Sequence, residues 1–138
     1  PMPPNAIREL LETHGLKVTP QRMVIADFLL RTESHPTADE VFKAVEDKLP
    51  AISRATVYNT LNTLVQAGVL HTVSTEPGMT RYDANQSPHH HFVDTATGQI
   101  HDLPWAMVDQ LCCSLGPDYR IADYQITFFG EYKPANSQ

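Results

Sequence analysis

Within its first seventy residues the chain carries four helical segments with clear start and stop signals. Directly after them come two short extended runs joined by Glu76-Pro77-Gly78. Few folds accept that order. Residues 5–13 read as an amphipathic helix (Ile7, Leu10, Leu11) that closes near Gly15. A second helix opens at Thr19-Pro20, where threonine caps the free N–H groups and proline suits the first helical turn, and it continues through Met23, Ile25, Ala26, Leu29 and Leu30. A third opens at Thr37, with Glu40 at capping-box spacing; Val41, Phe42, Val45 and Leu49 follow helical periodicity, and Pro50 stops it. The fourth begins at Ser53 and runs to about Gln66, with Gly68 as its stop. Val69–Thr75 and Met79–Asp83 then pair across turn chemistry. Helices followed by a hairpin predict a winged helix-turn-helix over residues 1–84.

Residues 85–88 have the composition of a hinge. Beyond it, His89–Asp94 and Gln99–Leu103 read as strands around the turn Thr95-Ala96-Thr97-Gly98. A helix follows from Pro104 to about Ser114, with Trp105, Val108, Leu111, Cys112 and Leu115 on one side, and a last strand runs from Tyr119 to Tyr132. A ββαβ unit of this size buries too little of its own surface to be comfortable alone, so residues 89–138 are expected to share a face with a second copy. The fold class is therefore α+β: an N-terminal winged helix-turn-helix domain and a small C-terminal α/β dimerisation domain.

The 138 residues are 41% hydrophobic and 19% charged, a globular balance rather than a disordered one. No apolar run approaches the roughly 18 residues of a membrane span, and the chain does not open on a basic-then-apolar leader, so a cytoplasmic location is expected. The adjacent Cys112 and Cys113 lack the spacing of a zinc knuckle and read as reduced thiols, Cys112 in the core. A net charge of −6 argues against broad non-specific nucleic-acid binding, yet leaves a local basic surface open. Residues 1–84 hold eight Lys/Arg against ten Asp/Glu (net −2) and residues 85–138 hold two against six (net −4), so charge alone does not point to DNA.

The fourth helix does. Val57, Leu61, Leu64 and Val65 make one stripe at about 100° per residue, and the opposite arc holds Ala55, Thr56, Asn59, Asn62, Thr63 and Gln66 with Tyr58 at its edge. The segment has no acid and one charge, Arg54. Hydroxyls, amides and an aromatic ring are the groups that read base edges and thymine methyls in a major groove, and Arg54 stands where a phosphate or guanine contact is expected. Arg54, Thr56, Tyr58, Asn59 and Asn62, together with Arg22, are the candidate DNA contacts; Lys17 and Arg81 are further phosphate candidates. The bland alternative is a solvated helix face.

A second constellation concerns metal. Residues two apart on a strand share a face, so His89 and His91 point one way and His90 the other. Asp83 on the preceding strand and Asp102 on the partner strand add carboxylates, and His35 in the loop before the third helix adds a nitrogen. Three histidines and two aspartates suit iron(II), manganese(II) or zinc(II), and are too oxygen-rich for copper(I) and too nitrogen-rich for magnesium. His90 with Asp109 is a candidate auxiliary pair, while His14, His71 and His101 read as structural or surface residues.

Val18-Thr-Pro-Gln-Arg22, Ser34-His-Pro-Thr-Ala-Asp-Glu40, Ser53-Arg-Ala-Thr-Val-Tyr58, Arg81-Tyr-Asp83 and His89-His-His91 together resemble the ferric uptake regulator (Fur) family, over about residues 7–130. The resemblance implies a winged helix domain joined to a dimerisation domain, a cytoplasmic homodimer on a palindromic operator, and one regulatory divalent metal per subunit. It implies the ligand set His35, Asp83, His89, His91 and Asp102. Asp102, where iron-sensing members usually carry glutamate, and Asn59, where they carry arginine, lean toward the peroxide-responsive (PerR) branch. In that branch bound iron(II) reacts with hydrogen peroxide, nearby histidines are oxidised, and metal and DNA are released. The histidine run also resembles the haem-linked Irr branch, and zinc or manganese sensing stays open beside these. Where the family's structural zinc uses two Cys-x-x-Cys pairs, the first pair's positions hold Asp94 and Thr97 and no cysteine follows Cys113, so a four-cysteine zinc is not expected. Pro88 and Tyr124 likewise replace histidines of the family's auxiliary site. Rivals of another class are a non-haem metalloenzyme and a passive metal or haem carrier; the sequence offers no evident substrate cavity for the first, and either would leave the helix-turn-helix unused.

Overall fold

The structure, a computed structural model, describes residues 3–32, 34–76, 78–84, 89–107, 115–120 and 124–135. It divides into two compact units, Pro1–Gln86 and Ser87–Gln138.

The first unit runs α1 (Pro4–Thr13), α2 (Pro20–Arg31), α3 (Ala38–Val45), α4 (Arg54–Gln66), β1 (His71–Glu76) and β2 (Met79–Asp83). Three of its helices open on a hydroxyl that accepts an otherwise unpaired N–H, as their sequences predict. Thr19 Oγ1 accepts from Arg22 N at 3.2 Å, Ser53 Oγ from Thr56 N at 3.1 Å, and Thr37 with Glu40 closes a full capping box. The first helix has no side-chain cap and is held by the buried Ile7 and Leu11 instead. Its end is sealed when His14 Nδ1 bonds the Leu10 carbonyl at 2.7 Å and Gly15 turns at φ +76°.

One apolar cluster joins these helices: Ile7, Leu11, Ile25, Leu29, Val41, Val45, Val57, Leu61, Leu64, and Val69, Leu70 and Tyr82 beyond α4. The stripe of α4 is buried as its periodicity predicts, except that Val65 is only partly covered. Two boundaries differ from expectation. The regular part of α3 ends at Val45, and the chain beyond it tightens through Lys48 N to Val45 O at 3.1 Å before Pro50. The hairpin begins at His71 rather than Val69, because Val69 N and Leu70 N both donate to Leu64 O and close α4. Its antiparallel register sets His71 opposite Asp83 and Val73 opposite Arg81.

The second unit contains β3 (His89–Asp94), β4 (Ile100–Pro104) and β5 (Thr127–Gly130), in the order β4-β3-β5. The β3–β4 pair is antiparallel and places His91 opposite Asp102; the β3–β5 pair is parallel and places His91 opposite Thr127. A parallel pair needs a long crossover, here residues 105–126. Trp105–Met107 make one tight helical turn; the rest of the expected helix, including Asp109, Cys112 and Cys113, lies outside the described residues, as does the expected hinge 85–88. Among the described residues of the expected strand Tyr119–Tyr132, Thr127–Gly130 are regular. Its partner β3 turns away at Asp94, and before Thr127 the N–H of Ile126 goes to a side chain, His90 Nδ1, rather than to the ladder. Asp94 closes the β3–β4 turn with Oδ1 on Ala96 N (2.8 Å) and Thr97 N (3.2 Å), while Oδ2 accepts from Tyr132 N (3.2 Å).

Candidate metal centre and nucleic-acid surface

In the first unit the loop before α3 is stitched onto β2. Tyr82 N donates to Pro36 O at 2.9 Å, Thr37 bridges to Arg81, and Arg81 Nη1 donates to His35 O at 2.9 Å. With its backbone held there, buried His35 turns its Nε2 toward Oδ2 of buried Asp83, 3.6 Å away. This is the pair the sequence singled out. Arg81, a phosphate candidate from the sequence, has its Nη1 engaged by Glu40 at 3.2 Å as well as by the His35 carbonyl. Glu40 is held below the usual carboxylate pKa, first by the backbone N–H of Thr37, against the opposing effect of burial, and then by Arg81.

In the second unit the pleat does the arranging. His89 and His91 lie on one face of β3 with rings 4.7 Å apart and nearly perpendicular. Asp102, the cross-strand partner of His91, presents Oδ1 to both: 3.6 Å from His91 Nε2 and 3.7 Å from His89 Nε2. Both imidazoles are buried, His91 completely. His90 faces the other way, as alternation requires. It is fully buried, stacked 4.6 Å from Trp105 and 5.2 Å from Tyr124, and its Nδ1 accepts from Ile126 N at 2.9 Å. One ring nitrogen of the candidate auxiliary ligand is therefore committed to the backbone. Nothing local in the sequence announced the Trp105–Tyr124 bracket, since its members are distant along the chain.

Two nitrogen or oxygen ligands on one ion with bonds of about 2.1 Å stand roughly 3.0–3.4 Å apart. The His–Asp separations in both units, 3.6 to 3.7 Å, are close to that spacing and longer than a direct hydrogen bond. Buried imidazole nitrogens beside single carboxylate oxygens form the borderline donor set that divalent iron, manganese or zinc accepts. The residues present fit such an ion.

On α4, Ala55, Asn59, Asn62 and Gln66 are exposed and Thr56 and Thr63 partly so, while the Tyr58 ring is 51% exposed. Arg54 is not a loose charge. Its guanidinium pairs with Asp39 and lies 4.5 Å from the centroid of Phe42, which fixes it at the head of the helix. Arg22 is partly engaged as well, with Nη1 on Lys17 O at 2.8 Å. Tyr58, Asn62, Thr80, Arg81 and Glu40 line an open cleft of about 590 Å³ between α4 and the hairpin. Burial pushes the Tyr82 phenol there above its usual pKa, and Tyr58 adds to the effect.

The profile of the "Ferric uptake regulator family" matches residues 13–128. The chain is 34% identical over 113 residues to the "Peroxide operon regulator" of Bacillus subtilis, covering 80% of this chain and 78% of that protein. It is 29% identical over 130 residues to the "Peroxide-responsive repressor PerR" of Staphylococcus epidermidis, covering 93% and 87%. Among solved structures, the Campylobacter jejuni peroxide stress regulator superposes with a TM-score of 0.71 at 28% identity, covering 94% of this chain and 98% of that one. The Pseudomonas aeruginosa ferric uptake regulator with manganese shares the fold, with a TM-score of 0.75 at 24% identity over 93% of this chain and 98% of that one. This chain belongs to the ferric uptake regulator family.

Proposed function

We propose that this member of the ferric uptake regulator family is a metal-dependent, DNA-binding transcriptional repressor responsive to peroxide. In this reading His35, Asp83, His89, His91 and Asp102 hold one divalent ion per subunit, and a homodimer presents two copies of α4 to a palindromic operator. The observation that carries the reading is the convergence of imidazole nitrogens on single aspartate oxygens, at 3.6 Å in the first unit and 3.6 and 3.7 Å in the second. The three imidazoles and Asp83 are buried while Asp102 is exposed at the rim, and one shared ion accepts all five donors. The peroxide-responsive names of the relatives support that branch, as does Asn59 on the exposed arc of α4.

The residues divide the work. His35 and Asp83 tie the ion to the helical unit through the loop and β2, and His89, His91 and Asp102 tie it to the sheet. An ion that binds only when both sets converge favours the converged arrangement by its differential affinity, and an operator that needs this arrangement must in turn tighten the ion. Arg54 at the head of α4 meets phosphate or guanine while Tyr58, Asn59 and Asn62 face the bases, with half-sites about one helical turn apart or a multiple of it. Iron(II), if held there, would supply one electron toward cleavage of the peroxide O–O bond, and the remaining oxidising equivalents would be taken up by the adjoining imidazole of His35, His89 or His91, which is oxidised.

The test is a His35→Ala variant in operator titrations with and without manganese(II). It should stay dimeric and lose the metal dependence; unchanged operator affinity would remove the shared-ion reading. Peptide mass mapping after hydrogen peroxide treatment separates the sensing modes. Oxidation at His35, His89 or His91 with iron(II) but not manganese(II) supports peroxide response, and none with either metal leaves a plain metal sensor.

A further inference from the structure

We infer that Arg81 is a positioning residue for the ion site: it fixes the backbone that carries His35, and acts on metal affinity only through that imidazole. The inference rests on His35 being a ligand, as proposed above.

Arg81 and Asp83 are two residues apart on β2 and so project from the same face of the hairpin. Asp83 meets the imidazole of His35, while Arg81 meets its carbonyl at 2.9 Å with the same Nη1 that reaches Glu40 Oε1 at 3.2 Å. Glu40 is anchored in turn by the capping box, accepting from Thr37 N at 2.9 Å while its own N–H goes to Thr37 Oγ1 at 3.2 Å. Residues 35, 36 and 37 are thus held at consecutive points: by Arg81, by the N–H of Tyr82, and by Glu40. Of the three ties, only the first depends on a side chain of β2.

That tie bears on affinity because ordering a backbone residue costs conformational entropy, and a ligand loop already ordered spares the ion that cost. The Arg81 side chain is 26% exposed, so its charge-assisted bonds work in a partly desolvated setting. Replacing a partner of a ligating imidazole's second ring N–H typically weakens metal binding about 10–100-fold, and a tie to the ligand's backbone is expected at the low end of that range.

The experiment titrates manganese(II) into the full chain as wild type, Arg81→Met, Arg81→Lys, His35→Ala and the Arg81→Met/His35→Ala double variant. Arg81→Met is expected to weaken manganese about tenfold. Arg81→Lys, which keeps a cationic donor within reach of the carbonyl, should recover most of that loss. In the His35→Ala background, where the other four groups leave weak binding measurable at higher manganese, Arg81→Met should change affinity less than about twofold, since the two act as one unit. Equal losses in both backgrounds would mark general damage and overturn the inference, as would wild-type affinity in Arg81→Met. If the Met variant does not fold, Arg81→Gln replaces it in the cycle with the same outcomes. If His35→Ala alone leaves affinity intact, the ligand set falls and this inference with it. If His35→Ala weakens binding and Arg81→Met does not, only the positioning role is lost.

Discussion

The two units bury different chemistry. In the first, the interior is a continuous apolar cluster running from Ile7 in α1 to Ala84 beyond β2. Among the described residues of the second, Val93 is the one buried apolar side chain, and the other buried groups are His89, His90, His91 and Asp94. Burial of carbon is favourable in itself, whereas burial of imidazole and carboxylate costs free energy until hydrogen bonds or an ion satisfy them. The first unit is therefore held mainly by apolar burial, with His35 and Asp83 as a buried polar pair, and the second buries mainly polar groups, of which His90 and Asp94 are matched to backbone N–H groups.

The contrast can be broken at several points. The largest expected effect is Leu61→Ala on the buried face of α4, which should cost about 2–5 kcal/mol in urea unfolding with or without metal. A loss that depended on manganese would mean that the first unit is not self-sufficient. Next, manganese(II) at about one hundred times its dissociation constant should slow amide exchange in β3 by up to about 2.7 kcal/mol, and affect the core of α2 much less. His91→Ala should abolish the effect, and equal protection in both units would sink the contrast. Ser53→Ala should remove about 1 kcal/mol from the first unit by leaving Thr56 N uncapped, again independently of metal.

The smallest effect concerns Asp94, the polar clamp of the second unit. Burial pushes its carboxyl pKa up, but the N–H groups of Ala96, Tyr132 and Thr97 outweigh burial and hold it below the ordinary value. A carboxyl depressed in the folded state adds stability above its unfolded pKa of about 3.9, and that stability is lost as pH falls through the lower folded value. Asp94→Asn should therefore flatten the acid limb of the stability curve below about pH 4, and superimposable limbs would show that the clamp contributes nothing.

Much of this was legible in the chain because the deciding contacts are local. Thr19, Thr37 and Ser53 bond N–H groups three residues ahead, so composition and spacing locate the helix starts. The strand period alone puts His89 and His91 on one face and His90 on the other. Elsewhere local pattern misled. The run from Tyr119 to Tyr132 has strand composition throughout, yet among its described residues a strand forms only where β3 offers partners.

By itself, then, the sequence determined the capped helices, the hairpin, the facing of the three histidines and the chemistry of the ligand types, because each depends on residues within a few positions of one another. The role of Arg81 and the bracket around His90 were decided only in three dimensions. Arg81 reaches a carbonyl 46 residues away, and His90 takes its hydrogen bond from an N–H 36 residues away. A cation on a strand reads as a surface charge until folding closes the loop that brings it a buried acceptor, and the free energy of that closure is a property of the whole unit.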